Sequence, residues 1–173
     1  MILCPLENTG KLIFGKYWLQ ERPYITQLFG ERPDVYKQFG LNGHNGIDFR
    51  CAVGTLVYAP MEGKVQVTNE GKSGYGLHIK IRGGDREIVL GHLSEVFIKD
   101  GETVRLGQKI ALSGNTGFST GPHLHFGLRS IIKGEGDIFK WTVARYDNGF
   151  KGYWDQKPFV VTYKGTLSTK SIS

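Results

Sequence analysis

Two short segments of this 173-residue chain concentrate the side chains suited to metal chemistry. His44 and Asp48 stand in His44-Asn45-Gly46-Ile47-Asp48, and some eighty residues later His123-Leu124-His125 places two imidazoles two positions apart. Two imidazoles and one carboxylate make a mixed nitrogen and oxygen donor set. Around zinc, three protein ligands leave the fourth tetrahedral position open to water or substrate, which is the arrangement of a catalytic site. The same donors suit the facial triad of a non-haem iron oxygenase, so ligand chemistry alone keeps both open.

These residues need rigid elements to position them. Histidines two apart share a face of a strand, so His123 and His125 are expected to project into one groove while Leu124 and Phe126 point away. Gly43 and Gly46 mark the path around His44 as a loop rather than a helix carrying an i, i+4 ligand pair. A strand is expected to open at Ile47-Asp48-Phe49, with others over 57–59, 64–68, 77–82, 87–93, 109–112 and 123–128. Period-two alternation, as in Ile79-Lys80-Ile81-Arg82, supports them. Turns are expected at Glu62-Gly63, Gly83-Gly84, Asp100-Gly101 and Ser113-Gly114, and helix signals are nearly absent.

The implied fold is all-β, an antiparallel barrel- or sandwich-like single domain over 1–173 with long loops around the metal groove. Its core is expected over about 25–128, after an N-terminal extension over 1–24. The C-terminal region over 130–173 is expected to hold loops, a final strand at 159–163 and a frayed tail. A chain of this length buries about two thirds of its unfolded surface without disulfides. Cys4 and Cys51 are accordingly read as buried or idle thiols, with a single bridge between them the alternative.

The net charge of +6 and pI near 9.3 suit a polyanionic partner, whether nucleic acid, anionic membrane or anionic cell wall. The basic residues form no run of four, so a solvated basic surface is favoured over a nucleic-acid stripe. No apolar run approaches the roughly 20 residues of a membrane span. The opening MILCPLENTG lacks the basic and apolar regions of a secretory signal, so none is expected in this chain.

Further motifs occur in order between the two ligand segments: Tyr58-Ala59-Pro60, Gly74-Tyr75-Gly76, Gly91-His92-Leu93-Ser94, Gly101-Glu102-Thr103-Val104 and Gly107-Gln108-Lys109-Ile110. The series closes on Ser113-Gly114-Asn115-Thr116-Gly117-Phe118-Ser119-Thr120-Gly121-Pro122-His123-Leu124-His125-Phe126. This succession resembles the lysostaphin-like zinc endopeptidases that cut peptidoglycan, over about Ile25 to Leu128. The resemblance implies that His44, Asp48 and His125 bind one zinc and that His92 and His123 are catalytic. Gly127 stands where family members commonly carry an acidic residue, and nothing is carried over beyond about Ser130.

The resemblance further implies action outside the cytoplasm on cell-wall peptide, by a secreted enzyme, a phage lysin or a virion-associated enzyme, expected to be monomeric. Two rivals stand beside it: a non-catalytic zinc-binding wall module that regulates other hydrolases, and the iron oxygenase. The first loses ligands that this chain keeps, and the second has no evident need of two extra histidines. Nucleic-acid binding ranks last. His78, inside a plain strand pattern, is expected to be partly exposed and structural. Tyr75, Phe118, Tyr146, Tyr153 and Trp154 are candidates for the groove wall, with core packing the reading favoured for each.

Overall fold

The computed structural model describes residues 2–6, 25–133, 141–144, 146–155, 160–162 and 165–166. In chain order the strands are β1 (Ile2–Leu3), β2 (Ile25–Gln27), β3 (Ile47–Arg50), β4 (Leu56–Tyr58), β5 (Gly63–Asn69), β6 (Leu77–Gly83), β7 (Arg86–Gly91), β8 (Leu93–Val96), β9 (Thr103–Val104), β10 (Lys109–Ser113), β11 (His123–Lys133), β12 (Trp141–Val143), β13 (Val160–Thr162) and β14 (Gly165–Thr166). A four-residue helix, α1 (Pro33–Tyr36), and a 3-10 turn over Lys37–Phe39 lie between β2 and β3. The described residues are all-β apart from these.

The main sheet runs β2-β3-β11-β7-β6-β5-β9, with β12 added to β11; a smaller sheet runs β4-β10-β8. The described strands of the main sheet form an open sheet rather than a closed barrel. Period-two alternation sorts its residues onto two faces. Ile47 and Phe49 of β3, Ile79 and Ile81 of β6, Ile88 and Leu90 of β7, and Leu124, Phe126 and Leu128 of β11 are fully buried on one face. They join Val57, Leu93, Ile110 and Ala111 of the smaller sheet in one apolar cluster. Truncating a side chain such as Phe126 to alanine there would cost about 3–5 kcal/mol.

The opposite face of the same strands carries the polar residues: Asp48 on β3, His123, His125 and Arg129 on β11, Glu87 on β7, and His78, Lys80 and Arg82 on β6. Register fixes who meets whom. His125 pairs with Asp48 on one side and with Gly91 on the other, so β3, β11 and β7 form the platform of the site.

Several expectations are corrected. The strand expected over 87–93 breaks at His92, whose backbone adopts a left-handed φ of 62° between β7 and β8. The strand expected to end at 128 continues to Lys133, because β12 pairs with Ile131, Ile132 and Lys133. Residues 130–133 and 141–143 are thus sheet, not loop. Gly63 opens β5, and the bend falls at Met61. Of the expected final strand, 160–162 is present and pairs in parallel with β1, while residues 159 and 163 lie outside the described residues. So does the tail beyond 166. Cys4 and Cys51 are free and buried, not bridged.

Candidate metal centre

The loop ahead of β3 turns His44 back over the sheet. His44 Nδ1 lies 3.1 Å from the carbonyl of Leu28, and a carbonyl can only accept, so Nδ1 carries the proton and Nε2 presents its lone pair inward. That Nε2 lies 3.0 Å from His125 Nδ1 and 3.1 Å from Asp48 Oδ1, and His125 Nδ1 is 3.1 Å from the same oxygen. Three donor atoms from three residues thus form a nearly equal-sided triangle. All three residues are buried. Its size suits one ion at bond lengths of about 2.0–2.2 Å, and its chemistry suits zinc.

Electrostatics favour a cation here. Burial alone would raise the Asp48 carboxyl, but the His125 and His44 rings beside it hold it well below the usual carboxylate range. Burial pushes His125 down to about 4, with the neighbouring His44 and His123 adding to the effect against the pull of Asp48. At neutral pH the triangle therefore holds an ionised Asp48 beside a neutral His125, and no lysine or arginine among the described residues pairs with that carboxylate. The Cα of Gly46 lies directly against His125: a Cβ there would come 2.4 Å from Cε1 of the ring and 2.6 Å from the Phe126 carbonyl. A glycine is required by close approach, not by backbone angle.

Two more imidazoles stand beside the triangle. His123 Nε2 is 3.5 Å from Asp48 Oδ2, and its Nδ1 donates to the Gly121 carbonyl at 2.8 Å with Ser119 Oγ at 3.2 Å. His92 Nδ1 donates to the Thr116 carbonyl at 2.7 Å. Both rings have one tautomer imposed by a backbone carbonyl, which leaves Nε2 as the atom able to act. Their centroids are 4.5 Å apart. Burial drives His92 down to about 3, with His125 and His123 adding to it, so it stands neutral. Its left-handed backbone is strain of the kind that concentrates at functional positions.

A groove of about 260 Å³ opens from His92 and His125 along the polar face of the sheet. Tyr36, Phe39, Tyr75, Phe118, Tyr146 and Tyr153 supply its aromatic walls. Four of the five aromatics nominated from sequence therefore line the groove, and Trp154 instead packs against the core. Tyr75 stacks against His125 with centroids 4.9 Å apart, and its hydroxyl accepts from Asn45 Nδ2 at 2.5 Å. His78 is fully buried behind Tyr75, not partly exposed. Its position on the polar face of an inner strand, under the loop over 70–76, seals it from solvent.

The family model for peptidase family M23 matches residues 42–137, which is more than half of the chain. The chain belongs to peptidase family M23. An uncharacterized metalloprotease of Haemophilus influenzae is 39% identical over 121 residues, covering 69% of this chain and 25% of that protein. The peptidoglycan DD-endopeptidase ShyA of Vibrio cholerae is 42% identical over 92 residues, 53% of this chain and 21% of that protein. Among solved structures, the catalytic domain of the antimicrobial peptidase lysostaphin from Staphylococcus simulans superposes with a TM-score of 0.60 at 30% identity, covering 79% of this chain and 91% of that one. The matched part spans about a quarter or less of either full-length relative.

In this M23 chain all five residues nominated from sequence, His44, Asp48, His92, His123 and His125, converge. Sequence reasoning missed the groups that aim them. Leu28, Thr116 and Gly121 act through backbone carbonyls, so no residue type announces them. Thr116 also donates its hydroxyl to the Leu93 carbonyl and accepts the Leu77 amide, tying β6 and β8 to the loop that anchors His92. Gly76 and Gly117 face each other there: a Cβ on Gly76 would lie 2.4 Å from the Gly117 nitrogen. Both have positive φ, which adds a second reason for glycine.

Proposed function

We propose that this chain is a zinc endopeptidase that hydrolyses the crosslinks or stem peptides of bacterial peptidoglycan. His44, Asp48 and His125 hold the metal; His92 and His123 are the catalytic histidines. The observation that carries this reading is the buried His-Asp-His triangle with two further imidazoles, each fixed in tautomer, at its edge. M23 relatives named as peptidoglycan endopeptidases support the substrate class. Zinc, when bound, polarises a carbonyl and lowers the pKa of water from 15.7 toward about 7.

The protein's part follows from its geometry. His125 offers a neutral nitrogen and Asp48 an ionised oxygen, the protonation states that binding requires, and His44 turns its Nε2 toward both. The Leu28 carbonyl fixes the His44 ring and so its direction. Near the scissile bond, one of the His92 and His123 Nε2 atoms takes a proton and returns it to the leaving amine. The other steadies negative charge on the carbonyl oxygen when its Nε2 carries a proton, since its Nδ1–H is already committed to a backbone carbonyl. Every group lies in one chain, which supports action as a monomer. The substrate class supports action outside the cytoplasm, at the cell wall.

Zinc content and digestion products, measured for wild type beside His123→Ala and His125→Ala, test the reading. Wild type is expected to release new amine ends without new reducing sugars. His123→Ala should keep about one zinc while turnover falls about 10²–10⁴-fold, the usual worth of a general acid or base. His125→Ala should lose metal and activity together. Bound zinc with an intact wall in wild type would replace the enzyme with a non-catalytic wall-binding module.

A further inference from the structure

Beyond the metal triangle, the groove carries cations, and they differ in how the protein pairs them. Lys80, Arg129, Lys151 and Glu70 line the same groove as His92 and His125. Glu87, 1% exposed, lies in the floor of the polar face. It is already held by Arg82 Nε at 2.6 Å and by Arg129 Nε and a terminal nitrogen at 2.7 and 2.6 Å. Two guanidiniums thus neutralise one carboxylate with a charge to spare. Arg129 further stacks over the Tyr153 ring at 4.9 Å. Glu70 is exposed, and its Oε2 accepts the Tyr75 amide at 2.8 Å.

The two lysines differ from the arginines. Neither the Lys80 nor the Lys151 ammonium has an ion pair or hydrogen bond among the described residues, although both side chains are half-buried. They come from different elements, β6 and the loop over 146–155, and converge on one groove. Burial pushes Lys80 below its ordinary range, and the Arg129 and Arg82 charges push the same way against Glu87 and Glu70. Like charges gathered on a concave, partly desolvated wall call for an anion. Glu70 and Glu87 lie near enough to act on Lys80 through space, but among the described residues neither makes an ion pair with Lys80 or Lys151.

Strand register places Lys80 relative to the metal ligands, and Lys151 lines the same groove. Lys80 pairs with Val89, and Val89 with Gly127, two residues beyond His125 on the same face. Two strand spacings of about 4.8 Å and one two-residue step of about 6.7 Å put the Lys80 and His125 backbones roughly 12 Å apart. An extended peptide covers that span in three to four residues at about 3.4 Å each.

We propose that Lys80 and Lys151 form a carboxylate subsite, which receives a free carboxylate of the peptide substrate three to four residues from the bond held at the metal. The proposal rests on the endopeptidase reading and narrows its substrate to an acidic peptide. The carboxylate is either the peptide's C-terminus or a side chain, and both offer the same two-oxygen acceptor to an ammonium.

Four synthetic crosslinked stem-peptide dimers decide it: the free acid, the C-terminal amide, the side-chain amide and the doubly amidated form. Binding is measured by calorimetry at neutral pH to the zinc-loaded His123→Ala chain, which holds peptide without cutting it, and to the same chain carrying Lys80→Gln or Lys151→Gln. The free acid is expected to bind about tenfold or more tightly than the doubly amidated dimer, one charge-assisted pair's worth. Either lysine substitution should remove most of that preference while leaving the melting temperature unchanged. Whichever single amide loses the tenfold identifies the carboxylate. Equal affinity for all four dimers, or binding of none, overturns the subsite. Cleavage of all four by wild type at one rate also overturns it while sustaining the endopeptidase. Selective binding of the acid with no cleavage by wild type sustains the subsite and sinks the endopeptidase.

Discussion

Asp48 and Glu87 are both buried carboxylates on one face of one sheet, 5% and 1% exposed, and their neighbours make them opposites. Among the described residues, the ion-pair partners of the Asp48 carboxylate are all imidazoles, from His44, His125 and His123. Burial keeps His125 neutral at physiological pH, and the hydrogen bonds from His125 and His44 keep the Asp48 carboxylate ionised, so the site attracts a cation. Glu87 meets two guanidiniums, which never give up their protons. Its end of the sheet is saturated and cross-braces β6, β7 and β11. A buried carboxylate becomes a metal site when its partners can be neutral lone-pair donors, and a brace when they are permanent cations.

The strongest way to break this contrast is to neutralise each carboxylate in turn. Asp48→Asn is expected to weaken zinc binding by more than about a hundredfold, beyond what loss of an outer-shell partner causes, and to abolish peptide hydrolysis. The apo fold should persist, since no permanent cation is orphaned. Glu87→Gln should do the reverse, keeping zinc affinity within about twofold while lowering unfolding free energy by about 3 kcal/mol. That is the low end for orphaning buried charge, because the guanidiniums keep some solvent. Competition titration with a chelator and denaturant unfolding measure the two quantities. Zinc loss in Glu87→Gln would mean that the two ends of the sheet are one coupled network.

Gly46→Ala sharpens the comparison by moving a ligand without changing any donor. The added methyl would overlap the His125 ring and the Phe126 carbonyl, so His125 must shift. An expected loss of about 10–100-fold in zinc affinity, comparable to losing an outer-shell partner, follows with all three ligands still present. Gly121→Ala is the control. A Cβ there meets nothing within 4 Å, and the carbonyl that anchors His123 remains. Its zinc affinity and melting temperature should match wild type. Equal zinc affinity in Gly46→Ala would show that the triangle can slide along β3.

Side-chain identity and strand parity made the Asp48 end legible in sequence. The His-x-His spacing and the Leu124 and Phe126 core positions correctly place both imidazoles on the polar face. The Glu87 end was illegible, because Arg82, Glu87 and Arg129 are far apart in sequence and look like ordinary surface charges. Lys80 and Lys151 were hidden in the same way, among lysines read as a solvated surface. His78 was misjudged because a strand pattern does not say which loop covers the strand, and 70–76 covers this one. The carbonyls of Leu28, Thr116 and Gly121 carry no signature at all. Sequence legibility thus ends where function passes from side chains to backbone and to long-range register.

The smallest expected effect lies on the other face of the sheet, at the thiols. Burial raises Cys4 from 9.0 to about 12, against a hydrogen bond from Leu6, and raises Cys51 in the same direction. A thiol whose folded-state pKa is raised binds its proton more tightly when folded. Its contribution to stability is therefore complete below about pH 9 and is lost as pH climbs toward about 12. Only the thiolate is nucleophilic, so iodoacetamide at pH 8 should label neither cysteine in the native chain and both in denaturant, as mass spectrometry would show. Native labelling of Cys51 alone would show that the β3 end opens locally. Such opening would extend to the strand carrying Asp48 and make the metal end the softer of the two.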